Sequence, residues 1–190
     1  MEVFQAIDRR RSIRKFKHQA VPRELIERLL TAATLAPSGK NAQPWRFVVV
    51  QGDTKDRVAG ILLERAEWLR SQGLNIGSAI HTARIMQQAP VAILIYDALF
   101  KPTDDHNGMG RIWSLVNTQS IGAAIQNMLL EAESLGLGTL WICDILMAEN
   151  EVGELLGRSD ELVAAVSVGY ADEAPAARPR TPWAEITEWR

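Results

Sequence analysis

The sequence has little of several things that often decide what a chain does. Its 190 residues include one cysteine, Cys143, so no disulfide can close within the chain and a small secreted scaffold held by disulfides is excluded. Its longest uninterrupted apolar stretch, from Pro90 to Tyr96, is far short of the ~18 residues that span a bilayer as a helix. No membrane segment is expected. The residues after Met1 are charged and polar instead of forming an apolar signal core, and a reducing cytoplasm is the expected location. Charge of one sign is not in excess either: 21 Lys+Arg stand against 23 Asp+Glu, a net charge of -2, which argues against a surface devoted to nucleic acid. Of the three histidines, His18, His81 and His106, no two have metal-ligand spacing and no carboxylate pair stands near them. A zinc hydrolase and a Ser-His-Asp enzyme are therefore unsupported, and no metal is expected.

What is present suits a globular fold. With 47% hydrophobic and 23% charged residues, no internal repeat and no long linker, the chain reads as one domain over 1–190. Val3, Phe4 and Ile7 suit a short helix that ends at the basic run 9–17. Pro22 in a first turn, then Leu25, Ile26, Leu29, Leu30 and Ala33 at helical spacing, predict a second helix stopped by Pro37. Residues 45–50 read as a strand, 52–71 and 76–88 as helices, and 91–96 as a buried strand. Residues 97–111, with Pro102, Gly108 and Gly110, read as a long loop of the kind that serves as a substrate lid. From 112 to 135 a wide apolar face including Trp113, Val116, Ile121, Ile125 and Met128 predicts the central, most buried helix. A strand over 139–143, a helix over 149–156 and a strand over 162–168 complete an α/β or α+β pattern. The tail 174–190 carries Trp183, Ile186 and Trp189, which would be costly if left in water, and is expected to pack on a second subunit.

Four segments could carry chemistry. In the run 9–17, Arg10, Ser12 and Arg14 are the natural set to hold a phosphate monoester, because guanidinium forks and a hydroxyl can converge on its oxygens. A solvated helix end or a nucleic-acid arm are the alternatives from that run alone. The stretch 36–45 places Ser38, Gly39, Asn41 and Gln43 between two prolines, which makes either an ordinary turn or a stiff segment able to read the edge of a heterocycle. In the stretch 136–144, Gly136 and Gly138 fit neither the dinucleotide fingerprint nor the phosphate loop, and Cys143 reads as a small core residue. Arg178 and Arg180, two apart in a proline-stiffened segment, point to one side of the chain and could complete a phosphate site begun at Arg10.

In order and spacing these segments together resemble the nitroreductase-like FMN-dependent oxidoreductases. The stretches that carry the resemblance are Arg-Arg-Ser-Ile-Arg-Lys-Phe from Arg10, Pro-Ser-Gly-Lys-Asn-Ala-Gln-Pro-Trp-Arg-Phe from Pro37, Gly-Leu-Gly-Thr-Leu-Trp-Ile from Gly136 and Arg-Pro-Arg-Thr-Pro-Trp from Arg178. The resemblance implies an α+β fold, an α/β sandwich with a central, mostly antiparallel sheet wrapped by helices, in a homodimer with FMN at the interface. By matching positions it implies that Arg10, Arg11, Ser12 and Arg14 hold the FMN phosphate together with Arg178 and Arg180. It implies that Pro37, Ser38, Gly39 and Asn41 come from the other subunit to the isoalloxazine edge. Trp141, Ile142 and Cys143 would offer main-chain groups near flavin N5 and O4, and Arg84 would face the pyrimidine side. Some members have a glutamate and a glycine beside N5, where this chain has Cys143 and Asp144, so Cys143 is expected to act through its backbone.

The implied activity is a ping-pong hydride transfer with the flavin carrying the chemistry and no catalytic side chain required. NADH or NADPH would be the donor, and nitroaromatics, quinones or activated alkenes the acceptors. The same fold could instead serve reductive dehalogenation or consumption of the flavin. A nucleic-acid or anionic-surface module using residues 9–17 is the reading outside enzymes.

Overall fold

The computed structural model describes residues 1–99 and 109–190. The middle of the expected lid over 97–111 lies outside the described residues. Helices α1 (Val3–Arg9) and α2 (Arg23–Thr34) precede strand β1 (Trp45–Gln51), helices α3 (Gly52–Ser71) and α4 (Ala79–Gln88) and strand β2 (Val91–Asp97). Helix α5 (Met109–Ser134), strand β3 (Gly138–Ile142), helix α6 (Glu149–Leu156) and strand β4 (Glu161–Gly169) follow. Short 3-10 turns occupy Gly39–Asn41, Asp144–Ala148 and Trp183–Glu185. No helix among the described residues is long and apolar enough to cross a membrane.

Among the described residues the four strands form one sheet in the order β1-β2-β4-β3, with every neighbouring pair antiparallel. On one face Ala92, Leu94 and Tyr96 pack with Leu62 of α3, Met86 of α4 and Val152 of α6. On the other, Ile93, Ile95 and Val166 meet Leu29 of α2 and Ile121, Ile125 and Met128 of α5. Helices thus cover both faces, giving the expected α+β sandwich. Because β2 is buried on both faces, its sequence is a continuous apolar run without alternation.

Three details depart from the sequence reading. Pro22 is the residue before α2 and not part of its first turn, and α2 ends at Thr34, before Pro37. Met109 already lies in α5 and Asp97 still belongs to β2, both of which the sequence reading placed in a loop. Near that end α5 is not buried: Ile112, Trp113 and Leu115 are exposed while Ile121, Ile125 and Met128 are fully covered. Periodicity gives the helix face, but what covers each turn depends on segments distant in sequence.

At one end of the β2–β4 ladder two carboxylates oppose each other, Asp97 and Glu161. Asp97 is buried and one of its oxygens accepts from the Leu99 amide and the Asn117 side chain. Burial, then the charges of Asp97 and Glu149, push the Glu161 carboxyl above its ordinary value of 4.5. A carboxyl raised on folding stabilises the fold fully below the unfolded value, and this contribution is lost as pH rises through the folded value. Glu161→Gln is accordingly expected to raise the melting temperature at pH 7 and to change it little at pH 4, which thermal unfolding at the two pH values checks.

Candidate functional site

The basic run is organised by the edge of the sheet. Arg9 ends α1 and Arg10 turns the chain into an extended course, with φ -54° and ψ 131°. Ser12 then bridges Thr139 of β3 in parallel, and Phe16 bridges Ala171 beyond β4. The amides of Ile13 and Lys17 donate to the carbonyls of Thr139 and Tyr170, both at 2.9 Å. Ile13 and Phe16 are buried as anchors. The returning chain after β4 lies alongside: the Asp172 amide donates to the Lys15 carbonyl at 2.9 Å, and the Glu173 carboxylate accepts from the Arg14 amide.

This arrangement brings Arg10, Arg11, Ser12, Arg14, Arg178 and Arg180 to a common cavity of about 510 Å³. Among the described residues Asp8 is the one carboxylate on its lining. Arg11 is engaged by the carbonyl oxygens of Asp8 and Arg10, at 2.5 and 3.0 Å. The guanidinium of Arg10 is held below its ordinary value by burial first, then by the charges of Arg180 and Arg11, with Glu133 opposing. A cation depressed by neighbouring cations marks a site that an anion would stabilise. The Ser12 hydroxyl has no partner among the described residues, and so remains a free donor beside the guanidinium groups.

The segment after α2 lies elsewhere in the same chain. It is more than an ordinary turn: Lys40, Asn41 and Gln43 all have positive φ, of 53°, 56° and 48°. A non-glycine residue held there costs about 1–3 kcal/mol, so the surroundings must impose it. Two contacts tie the start of the segment to α5. The Gly39 amide donates to the Ser120 hydroxyl at 3.3 Å, and a Cβ at Gly39 would lie 2.3 Å from Val116 Cγ1, so only glycine allows this approach. The Ser38 hydroxyl accepts from the Gln43 amide at 3.0 Å, and Lys40 sits 4.6 Å from the Trp113 ring centroid. Pro37, Ser38, Gly39 and Asn41 do not line the arginine cavity of their own chain.

The strand carrying Trp141 and Ile142 stops one residue earlier than the sequence suggests. Cys143 begins the following turn and is exposed, which corrects its reading as a core residue: the strand's apolar pattern ends with Ile142. Its thiol is pushed above the ordinary value by burial and by Asp144, with a hydrogen bond involving Trp141 opposing, so it is not an activated thiolate. The turn is fixed to α4 by Asp144, whose Oδ2 accepts from Thr82 at 2.7 Å and from Ser78 at 3.0 Å. Sequence reasoning missed this pair, although two hydroxyl residues four apart on one helix face were its available signal. Arg84, on the same helix, is not in the arginine cavity; it lines a second one, of about 710 Å³, in which Arg14 also takes part.

The tail leaves its apolar residues uncovered by this chain. Trp183 is 67%, Ile186 72% and Trp189 82% exposed, and Phe4 and Leu35 are exposed as well.

Comparison with known proteins places the chain among named relatives. YfhC of Bacillus subtilis, described as a candidate NAD(P)H nitroreductase, is 30% identical over 91% of this chain and 86% of its own length. A Methanothermobacter thermautotrophicus protein, named as a candidate NADH dehydrogenase/NAD(P)H nitroreductase, is 34% identical over 74% of this chain, and the match spans 60% of that relative's length. Mouse iodotyrosine deiodinase 1 is 29% identical over 89% of this chain and 62% of its own length. Among solved structures, a nitroreductase candidate from Desulfovibrio desulfuricans in complex with FMN superposes with a TM-score of 0.77, at 28% identity, over 100% of this chain and 97% of that one. The family model described as the Nitroreductase family matches residues 7–170, and the chain belongs to that family.

Proposed function

We propose that the protein is an FMN-dependent oxidoreductase that draws electrons from NADH or NADPH and works as a homodimer. The observation that carries this reading is the convergence of Arg10, Ser12, Arg14, Arg178 and Arg180 on one cavity whose positive charge is poorly balanced. Planar guanidinium forks and a free hydroxyl are the donor set that a dianionic phosphate requires, so the residues present fit FMN. The relatives' names and the FMN complex of the Desulfovibrio protein support the same choice.

Bound there, FMN supplies reversible hydride chemistry, and the chain's task is to hold and surround it. Arg10, Arg11, Ser12, Arg14, Arg178 and Arg180 anchor the phosphate end. Main-chain groups of Trp141, Ile142 and Cys143 lie at the other end of the adjoining edge strand, on a turn that Asp144 ties to Thr82. Cys143 acts through its backbone, since its raised thiol makes a poor nucleophile. Arg84 lines a cavity together with Arg14 and serves the pyrimidine side. Pro37, Ser38, Gly39 and Asn41 reach the ring from a second copy, because their own chain holds them away from its arginine cavity. The exposed Phe4, Leu35, Trp183, Ile186 and Trp189 supply apolar surface for that contact.

The acceptors are nitroaromatics, quinones or activated alkenes, selected in part by residues 97–111. Reductive dehalogenation is a second reading, favoured by the similarity to mouse iodotyrosine deiodinase 1. Purified protein is expected to be yellow, to release FMN on denaturation and to sediment at about twice the 21.1 kDa chain mass. Colourless protein that does not take up FMN would exclude both enzyme readings. Turnover of a nitroaromatic and quinone panel against a panel of halogenated phenols separates the two.

A further inference from the structure

The second cavity shares Arg14 with the phosphate anchor and Arg84 with the flavin's pyrimidine side, and adds Lys15 and Lys17, which the flavin does not use. We infer that it docks the phosphate-bearing adenosine half of the reduced nicotinamide donor and favours NADPH over NADH; the inference rests on the flavoenzyme reading above.

The groove has two walls of different origin. One is the stretch 14–18, pinned by the amides of Lys17 and Asp172 and by the buried Phe16. The other is α4, where His81, Arg84, Ile85 and Gln88 recur at intervals of three and four residues and so share a helix face. Thr82 faces the other way, toward Asp144. The floor is apolar, since Phe16 and Ile85 are buried.

Charge decides the class of ligand. Arg14, Lys15, Lys17 and Arg84 lie on this lining together with His18 and His81, and among the described residues Asp172 is its one carboxylate. The side chains of Lys15, Lys17, His18, His81 and Arg84 have no hydrogen-bond or ion-pair partner among the described residues. The two walls hold the unpaired Lys15, Lys17 and Arg84 around a space of about 710 Å³, which suits a polyanion of nucleotide size. Arg14 belongs to both cavities, so a ligand in this groove lies directly beside the proposed flavin. A 2′-phosphate adds close to two negative charges to what the groove would hold, and ion pairing of that kind discriminates NADPH from NADH.

The test uses FMN-loaded protein, in which the phosphate anchor is already filled. Adenosine 2′,5′-bisphosphate is titrated by calorimetry into wild type and into a Lys17→Gln/His81→Gln variant, neither position being assigned to the flavin. Binding is expected to weaken about tenfold in the variant and to weaken with added salt. The half-saturating NADPH concentration should rise by a similar factor, and that for NADH by less. Flavin reduction by 1-benzyl-1,4-dihydronicotinamide, which has no phosphate, should not change. Unaltered bisphosphate binding in the variant, or an equal loss with all three donors, would overturn the inference while leaving the flavoenzyme reading intact. Protein that neither contains nor takes up FMN would overturn both.

Discussion

Arg10→Ala is expected to lower FMN affinity by about 10- to 100-fold while leaving the melting temperature of the apoprotein nearly unchanged. The first effect follows from losing a hydrogen bond to a charged group, worth about 1.5–3 kcal/mol, with each 1.4 kcal/mol a factor of ten. The second follows from the charge balance of the site. Arg10 lies beside Arg180 and Arg11, whose charges depress it, so its removal relieves repulsion in the empty cavity. Arg10→Lys should fall between the two proteins, because it keeps the charge but loses the planar fork. Quenching of flavin fluorescence during titration, with thermal unfolding of the apo forms, measures both quantities. Unchanged FMN affinity in the alanine variant would remove Arg10 from the phosphate anchor.

How far the sequence reveals such a site depends on the range of the interactions that build it. The strand β2 is legible because a residue run buried on both faces must be apolar throughout, as Val91 to Tyr96 are. The C-terminal half of α5 is legible for a similar reason, with Ile121, Ile125, Met128 and Ala132 keeping one period. Trp113 is not, because its exposure is decided by what lies opposite it. The composition of residues 36–45 announces irregular backbone, yet nothing local requires Lys40, Asn41 and Gln43 to adopt positive φ. The neighbours that the segment packs against, Val116 and Ser120 at Gly39, lie far along the chain. The hydroxyls of Ser78 and Thr82 could be read as a pair, but their carboxylate partner could not, as the bond from Thr82 to Asp144 joins residues 62 apart in sequence. The meeting of Arg178 and Arg180 with Arg10 is also long-range, but like charges placed in stiff segments at both ends of the chain left a readable trace.

Gly169→Ala is expected to destabilise the fold by about 1–3 kcal/mol and to weaken FMN binding with it. Gly169 pairs with Gly138 across β4 and β3, where residues 12–17 cross the end of the sheet. A Cβ at Gly169 would lie 2.6 Å from Pro90 Cδ and 2.9 Å from Phe16 Cδ1; one at Gly138 would lie 2.8 Å from Ile13 Cγ1. Neither glycine has positive φ, so the requirement is for space and not for an unusual backbone. The proline ring is rigid and Phe16 is buried, so alanine must displace the anchored segment. That segment carries Ser12 and Arg14, which couples the packing defect to the phosphate site. At this chain length each 1 kcal/mol lowers the melting temperature by about 2–4 °C. Gly60→Ala, inside α3 with no atom near its Cβ position, is the control: helix propensity alone should leave stability unchanged or raise it by up to about 1 kcal/mol. If Gly169→Ala matched that control in melting temperature and FMN affinity, close approach at the sheet end would not be what positions Ser12 and Arg14.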